Sequence, residues 1–295
     1  MNIGISRINV IGSVNFEDFL MSDSNPLGAL IPNREDMRCC EGDAGVEISH
    51  AQVDSITDAV RHQYGALAKR AAERASSSTK ASDRFYTEEQ RYTLTDEAVG
   101  ASAGCGNPVG IADINPGETV LDLGSGGGID CFLAAREVGE TGYVVGIDMT
   151  PEMLDLARTN AEKLQTGNIV FKLGHIESIP QEDNSVNLVI SNCVIALSDK
   201  KDRVFSEIFR ILKPGGRFVI SDVVTDKPLP VDVRRSAAEW VDCVAGAAVM
   251  GDYIEMIAET GFTDIEILEE RTRSDGAEEW RDSLIDLTLR GFKNT

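Results

Sequence analysis

Six cysteines are spread along the 295-residue chain, and two of them sit where chemistry could be expected. Cys193, in Val-Ile-Ser-Asn-Cys-Val-Ile, ends an apolar run that reads as a buried strand. Ligands of open α/β sheets bind outside the carboxyl ends of such strands. Cys243 lies in Glu-Trp-Val-Asp-Cys-Val-Ala-Gly-Ala, in a segment with helical spacing. A thiol at either place ligates, attacks, or simply packs as a small hydrophobe. The other four are Cys39, Cys40, Cys105 and Cys131. Six are too sparse for a disulfide scaffold in a chain this long, so free thiols are expected. Cys131 reads as packing. The three histidines include none at a strand end suited to abstracting a proton.

A second cluster is the turn Asp122-Leu123-Gly124-Ser125-Gly126-Gly127-Gly128, between an apolar run and a helical one. Glycines there let backbone N–H groups approach a ligand closely. Counting from Gly124, a dinucleotide fingerprint would need glycine where Ile129 stands, which argues against NAD. Asp148, ending the next apolar run before Met149, is placed to accept from ribose hydroxyls, and Asp122 stands just ahead of the loop. Carboxylates repel a pyrophosphate and suit a cationic, amino-acid-bearing nucleoside such as S-adenosylmethionine.

These residues need a frame. "TVLDLGSGGG", "GYVVGIDM", "NIVFKLG", "SVNLVISN" and "GRFVISDVV" read as strands, followed later by "DIEILEE" and "SLIDLTLRGF". Helices are expected at Pro151 to Gln165, N-capped by Thr150, and at Asp199 to Leu212, stopped by Pro214-Gly215-Gly216. Unbroken apolar strands alternating with helices predict an α/β, Rossmann-like core of seven strands with a parallel sheet covered on both faces. Four regions follow: residues 1–50, an extension carrying Cys39-Cys40; 51–106, a helical lid; 107–225, the cofactor-binding core; and 226–295, an α+β segment completing the sheet. The lid begins with a helix over 49–75, broken at Gly65, and continues through a flexible connection, "ERASSSTKASDR", to a short helix near Asp96. The last region opens with helices over 231–243 and 249–260. The formal charge of −21 makes nucleic-acid or anionic-membrane partners improbable, and no run is long and apolar enough to span a bilayer. A cytoplasmic protein acting on a small molecule is expected, with residues 1–20 outside the fold.

"LDLGSGGG" with "VVGIDM" and "RILKPGGRFVISD" resembles the class I methyltransferase signature. "AGCGNPVGIADINPGETVLDLGSGGGIDCFLAAREVG", "GIDMTPEML", "SNCVIALSDK" and "CVAGA" together resemble the arsenite S-adenosylmethionine methyltransferases, in their short prokaryotic form. That resemblance runs from about Tyr64 to Gly261. It implies a cofactor site of Asp122, Gly124, Ser125, Gly126, Gly128, Asp148, Met149, Ile176, Glu177 and Asn192, with Tyr64 and Asn107 in the covering region and His175 near the adenine. It implies that Cys193 and Cys243 hold As(III) against the methyl donor.

Soft As(III) prefers thiolates, and its lone pair can attack the sulfonium methyl without a general base. The third sulfur would come from Cys39, Cys40, Cys105 or a small thiol such as glutathione. Larger family members carry a cysteine soon after the "YG" pair, and "YGALAKRAAERASSS" has none. The resemblance also implies a glutathione or thioredoxin system as reductant. Two other functions remain open from the sequence: a methyltransferase of an organic acceptor (a quinone or lipid), and a non-catalytic thiolate protein that sequesters arsenic.

Overall fold

Five apolar segments supply five parallel strands: β1 (Thr119–Leu123), β2 (Tyr143–Asp148), β3 (Ile169–Leu173), β4 (Val186–Asn192) and β5 (Leu212–Thr225). This computed structural model describes residues 56–73, 80–273 and 278–294. A two-residue β6 (Ala248–Val249) pairs with the end of β5, and β7 (Thr263–Thr272) and β8 (Leu284–Phe292) finish the sheet. Along the main path the order is β3-β2-β1-β4-β5-β8-β7, with β8 antiparallel to both neighbours. The result is a Rossmann-like α/β fold whose last antiparallel strand is inserted between β5 and β7.

In chain order the helices are α1 (Ile56–Glu73), α2 (Lys80–Phe85), α3 (Glu88–Tyr92), α4 (Asp96–Gly100), α5 (Pro108–Ile111), α6 (Ile129–Val138), α7 (Pro151–Leu164), α8 (Lys201–Ile211), α9 (Val231–Arg234), α10 (Ala237–Val241) and α11 (Met250–Glu259). Helices on both sheet faces bury β1, β4 and β5 almost completely, as expected where each strand is apolar on both faces. One face closes on Phe205 and Tyr253, centroids 5.3 Å apart and edge-on, and on Phe218 against Phe262 at 4.8 Å. Such pairs contribute about 0.5–1.5 kcal/mol each beyond their burial. Buried Arg217 ties the start of β1 to the loop before it, donating to Glu118 and to the carbonyls of Ala112 and Asp113.

Several expected boundaries shift. Helix α1 runs unbroken through Gly65, because glycine there serves close packing: a Cβ would stand 3.3 Å from the Glu152 carboxyl on α7. Part of the polar connection after α1 is helical, as α2. Thr150 occupies the N-cap position of α7 but makes no side-chain cap; its N–H instead donates to Asp148 Oδ1. Strand β5 begins at Leu212, before Pro214-Gly215-Gly216, and the turn appears as a register shift against β4. The helix expected over 231–243 is two short ones, α9 and α10, the second capped by Ser236 Oγ. Cys243 lies beyond the end of α10. The pair Cys39-Cys40 and the extension over residues 1–50 lie outside the described residues.

Candidate active site

The loop after β1 turns sharply at glycines with positive φ, Gly124 (67°), Gly126 (51°) and Gly128 (95°). At Gly128 a side chain would also collide with the Phe132 ring, 2.7 Å from an added Cβ. Gly128 therefore shapes the start of α6 rather than facing the cavity. The loop borders a cavity at the carboxyl ends of β1, β2 and β4. Of the residues expected there, Asp122, Gly124, Ser125, Gly126, Asp148, Met149, His175, Ile176, Glu177, Asn192 and Tyr64 line it, together with Cys193. Asn107 does not: its Oδ1 caps α5 through Gly110 N–H, and its Nδ2 donates to Phe85 O and Gln90 Oε1.

Asp148 is fixed by two backbone donors, Gly126 N at 2.9 Å and Thr150 N at 2.8 Å. Burial raises its pKa, and those donors offset the rise. Two further carboxylates stand nearby. Burial and the charge of Asp130 push Asp122 well up, while Cys131 Sγ donates to it at 3.3 Å. Burial raises Asp130 to about 6, against donors from Asn192 and Tyr86. Tyr86 Oη donates to both Asp130 oxygens, at 2.9 and 3.0 Å, and Asn192 Nδ2 donates to Tyr86 Oη and Asp130 Oδ2. Asp130 and Tyr86 both line the cavity but were missed in the sequence. The signal was a carboxylate at the second position of a helix whose next five residues are apolar.

Among the described residues no Lys or Arg pairs with Asp122, Asp130 or Asp148, so the cavity is an uncompensated acidic recess suited to a cationic ligand. Ser125 Oγ is buried there without a hydrogen-bond partner. A buried hydroxyl left unsatisfied in a ligand cavity is a group waiting for a partner. These observations fit a cationic nucleoside such as S-adenosylmethionine.

Adjoining the cavity is a drier region. Cys193, just past β4, and Cys243, just past α10, both adopt left-handed backbone, φ 61° and 62°. Non-glycine residues held there cost about 1–3 kcal/mol and concentrate at functional sites. The two meet: Cys243 Sγ donates to Cys193 O at 3.2 Å, and both side chains lie in one buried cluster. Cys105 belongs to the same buried cluster, its N–H donating to Asn192 Oδ1 beside Cys193. All three thiols are buried, unbridged, and packed with Ala196, Val223, Leu229, Val233, Val244 and Leu284. The thiol contacts and burial raise Cys193 and Cys243 well above the ordinary range, while burial leads at Cys105, so all three are neutral thiols. Beneath them Asp222, itself raised to about 6 by burial, accepts from Val223 N and Tyr253 Oη. Cys131 is separate, turned to Asp122. His175 closes a small turn, its carbonyl accepting from Ser178 N.

A methyltransferase-domain family model matches residues 114–272. An arsenite methyltransferase of Halobacterium salinarum is 50% identical over 177 residues, covering 60% of this chain and 45% of that protein. The crystal structure of an arsenic(III) S-adenosylmethionine methyltransferase from Chlamydomonas reinhardtii superposes with a TM-score of 0.60 at 38% identity, covering 72% of each chain. A ubiquinone/menaquinone biosynthesis C-methyltransferase of Vibrio cholerae is 36% identical over 110 residues, 36% of this chain and 41% of its own length. The chain spans about half the length of the curated arsenite methyltransferases it matches. By its domain, its fold and the breadth of these matches, the chain belongs to the class I methyltransferases, in the family of the arsenic(III) S-adenosylmethionine methyltransferases.

Proposed function

We propose that this protein methylates trivalent arsenic, holding As(III) on Cys193 and Cys243 beside a bound S-adenosylmethionine. The observation that carries the reading is the pair of thiols, distant in sequence, both in left-handed backbone and in mutual contact, one of them bordering the acidic cavity. Relatives named for arsenite methylation support it over a quinone acceptor, since the quinone-type relative matches a shorter stretch at lower identity.

Arsenous acid condenses with two thiols to form two As–S bonds and release two waters. Each sulfur's proton leaves with an arsenic-bound hydroxyl, so the raised thiol pKa values are no obstacle and no general base is needed. When bound, the cofactor supplies an electrophilic methyl on a positively charged sulfur. The arsenic lone pair is the nucleophile, and the work of the protein is alignment and exclusion of water. The apolar wall of Val223, Leu229, Val233 and Leu284 keeps the arsenic site dry. Methylation formally oxidises arsenic to the pentavalent state. Two thiols then return two electrons and become a disulfide, which a thiol reductant such as glutathione or thioredoxin reopens.

The test is chromatography of arsenic species after incubating the full chain with S-adenosylmethionine, arsenite and a dithiol. Methylated arsenic is expected. Its absence under excess thiol, with arsenite still bound, would leave only sequestration, and methylation of a quinol instead would move the protein to the other branch.

A further inference from the structure

We infer that the buried carboxylate of Asp222 is the counter-charge for methyl transfer, stabilising the positive charge as it passes from the cofactor's sulfur to arsenic. The inference rests on the arsenic reading above and deepens it, adding a charged group to a step explained so far by alignment and dryness. The two halves of the site offer a cation different things. Asp122, Asp130 and Asp148 border the cofactor cavity and favour a cation there before reaction. Asp222 lies outside that lining, buried in β5 between Ser221 and Val223. Asn192 of β4 pairs in register with Ser221, and Cys193 N donates to Ser221 O at 2.7 Å, so Cys193 leaves its strand directly beside Asp222. Val223, the next residue, belongs to the wall around Cys193 and Cys243.

Both oxygens of the carboxylate are held in place: Val223 N donates to Oδ1 at 2.9 Å and Tyr253 Oη to Oδ2 at 3.1 Å. The nearby Lys201 ammonium is turned to carbonyls instead, donating to Ala196 O at 3.3 Å and Ser198 O at 2.6 Å. After the neighbouring thiols and burial, the Asp222 charge also helps to raise Cys193 and Cys243, so its field falls on the sulfurs that would carry arsenic. A buried carboxylate without an ion-pair partner is costly, and neither cofactor binding nor thiol ligation requires this one. Methyl transfer does. The arsenic lone pair makes the As–C bond, the S–C bond breaks, and its electron pair stays on sulfur. A sulfonium and a neutral three-coordinate arsenic become a neutral thioether and a four-coordinate arsenic cation. No proton moves and the net charge is unchanged; only the place of the positive charge differs. The cavity carboxylates alone would hold that charge on sulfur, and binding that favours the ground state does not speed the step. A fixed carboxylate on the arsenic side pulls the other way, and it needs no reorganisation because Val223 N and Tyr253 already orient it.

The test is a single-turnover measurement of methyl transfer at pH 8, where Asp222, with its pKa of about 6, is ionised. The full chain is preloaded with arsenite and mixed with saturating S-adenosylmethionine. Asp222→Asn keeps the shape and an acceptor for Val223 N, and should slow transfer by about 10- to 100-fold. Its affinities for arsenite and for S-adenosylhomocysteine should match the parent's. Tyr253→Phe removes a hydrogen bond but leaves the charge, and should transfer at close to the parent rate. An unchanged rate in Asp222→Asn would overturn the inference. Equal slowing in both variants, or slowing matched by an equal loss of arsenite affinity, would assign Asp222 to packing and overturn it too. A parent protein that binds arsenite and cofactor yet transfers no methyl would overturn the arsenic reading, and this inference with it.

Discussion

The cofactor cavity and the thiol pocket share the end of β4 yet are built on opposite principles. The cavity is polar and centred on one βαβ unit: a glycine turn and the carboxylates Asp122 and Asp148 of β1 and β2, with Asp148 held by the N–H groups of Gly126 and Thr150. The pocket is apolar and non-local, drawing one thiol each from the segments at 105, 193 and 243, and it holds two of them in strained backbone. The polar floor of the recess comes from one βαβ unit, with Tyr64, Tyr86 and Asn192 closing it from elsewhere in the chain. A soft ion needs converging sulfurs, and convergence requires tertiary structure.

The sharpest way to break this comparison is to damage each region separately. Cys193→Ser and Cys243→Ser should each abolish arsenic methylation in a product assay, while calorimetric titration with S-adenosylhomocysteine stays at the parent affinity. Loss of both together would mean that the pocket and cavity are one unit. In the opposite direction, Asp148→Asn should weaken cofactor binding by about 10- to 100-fold, the scale of a hydrogen bond to a charged group. Arsenite binding measured without cofactor should not move.

A smaller effect appears in stability. Asp130 is buried without a cationic partner, and its folded-state pKa of about 6 lies above the ordinary carboxylate value despite the donors Tyr86 and Asn192. The folded protein therefore binds the proton more tightly, and stability from this group is complete below the ordinary value and lost as pH rises through 6. Asp130→Asn should raise the melting temperature of the ligand-free protein at pH 8 by about 3 °C or more. The gain should fade as pH falls from 6 towards 4; a pH-independent gain would place the cause elsewhere. The smallest expected effect concerns the backbone at Cys193. Cys193→Gly should unfold in urea with about 1 kcal/mol less destabilisation than Cys193→Ala, because only glycine accepts φ 61° freely. Equal losses would deny that the turn is strained.

The glycine turn and its two flanking carboxylates were legible in the sequence because each obeys a local rule, while Tyr86 and Asp130 in the lining were not. The run ending at Asp122, the glycines and Asp148 all fall where strand-to-helix turns put them. Asp130 escaped because helical periodicity assigned its neighbours to the core. Asn107 resembled a cofactor contact but is consumed by capping α5. For the pocket, the family resemblance implied that Cys193 and Cys243 converge, but not the backbone that brings them together. Positive φ at a cysteine has no sequence signal, and the helix expected through 243 stops short because α10 ends at Val241. The place of Cys105 beside Cys193 depends on Asn192 gripping a loop eighty-seven residues away, which no spacing rule encodes.

Strand β8 is inserted between β5 and β7, so Leu284 reaches the wall of the thiol pocket and Thr288 bonds Ser221 beneath the 105 loop. Chains emerge from the ribosome amino end first. A nascent polypeptide whose recess beside β1 and β2 has already formed still lacks one wall of the thiol pocket until β8 has emerged and inserted beside β5.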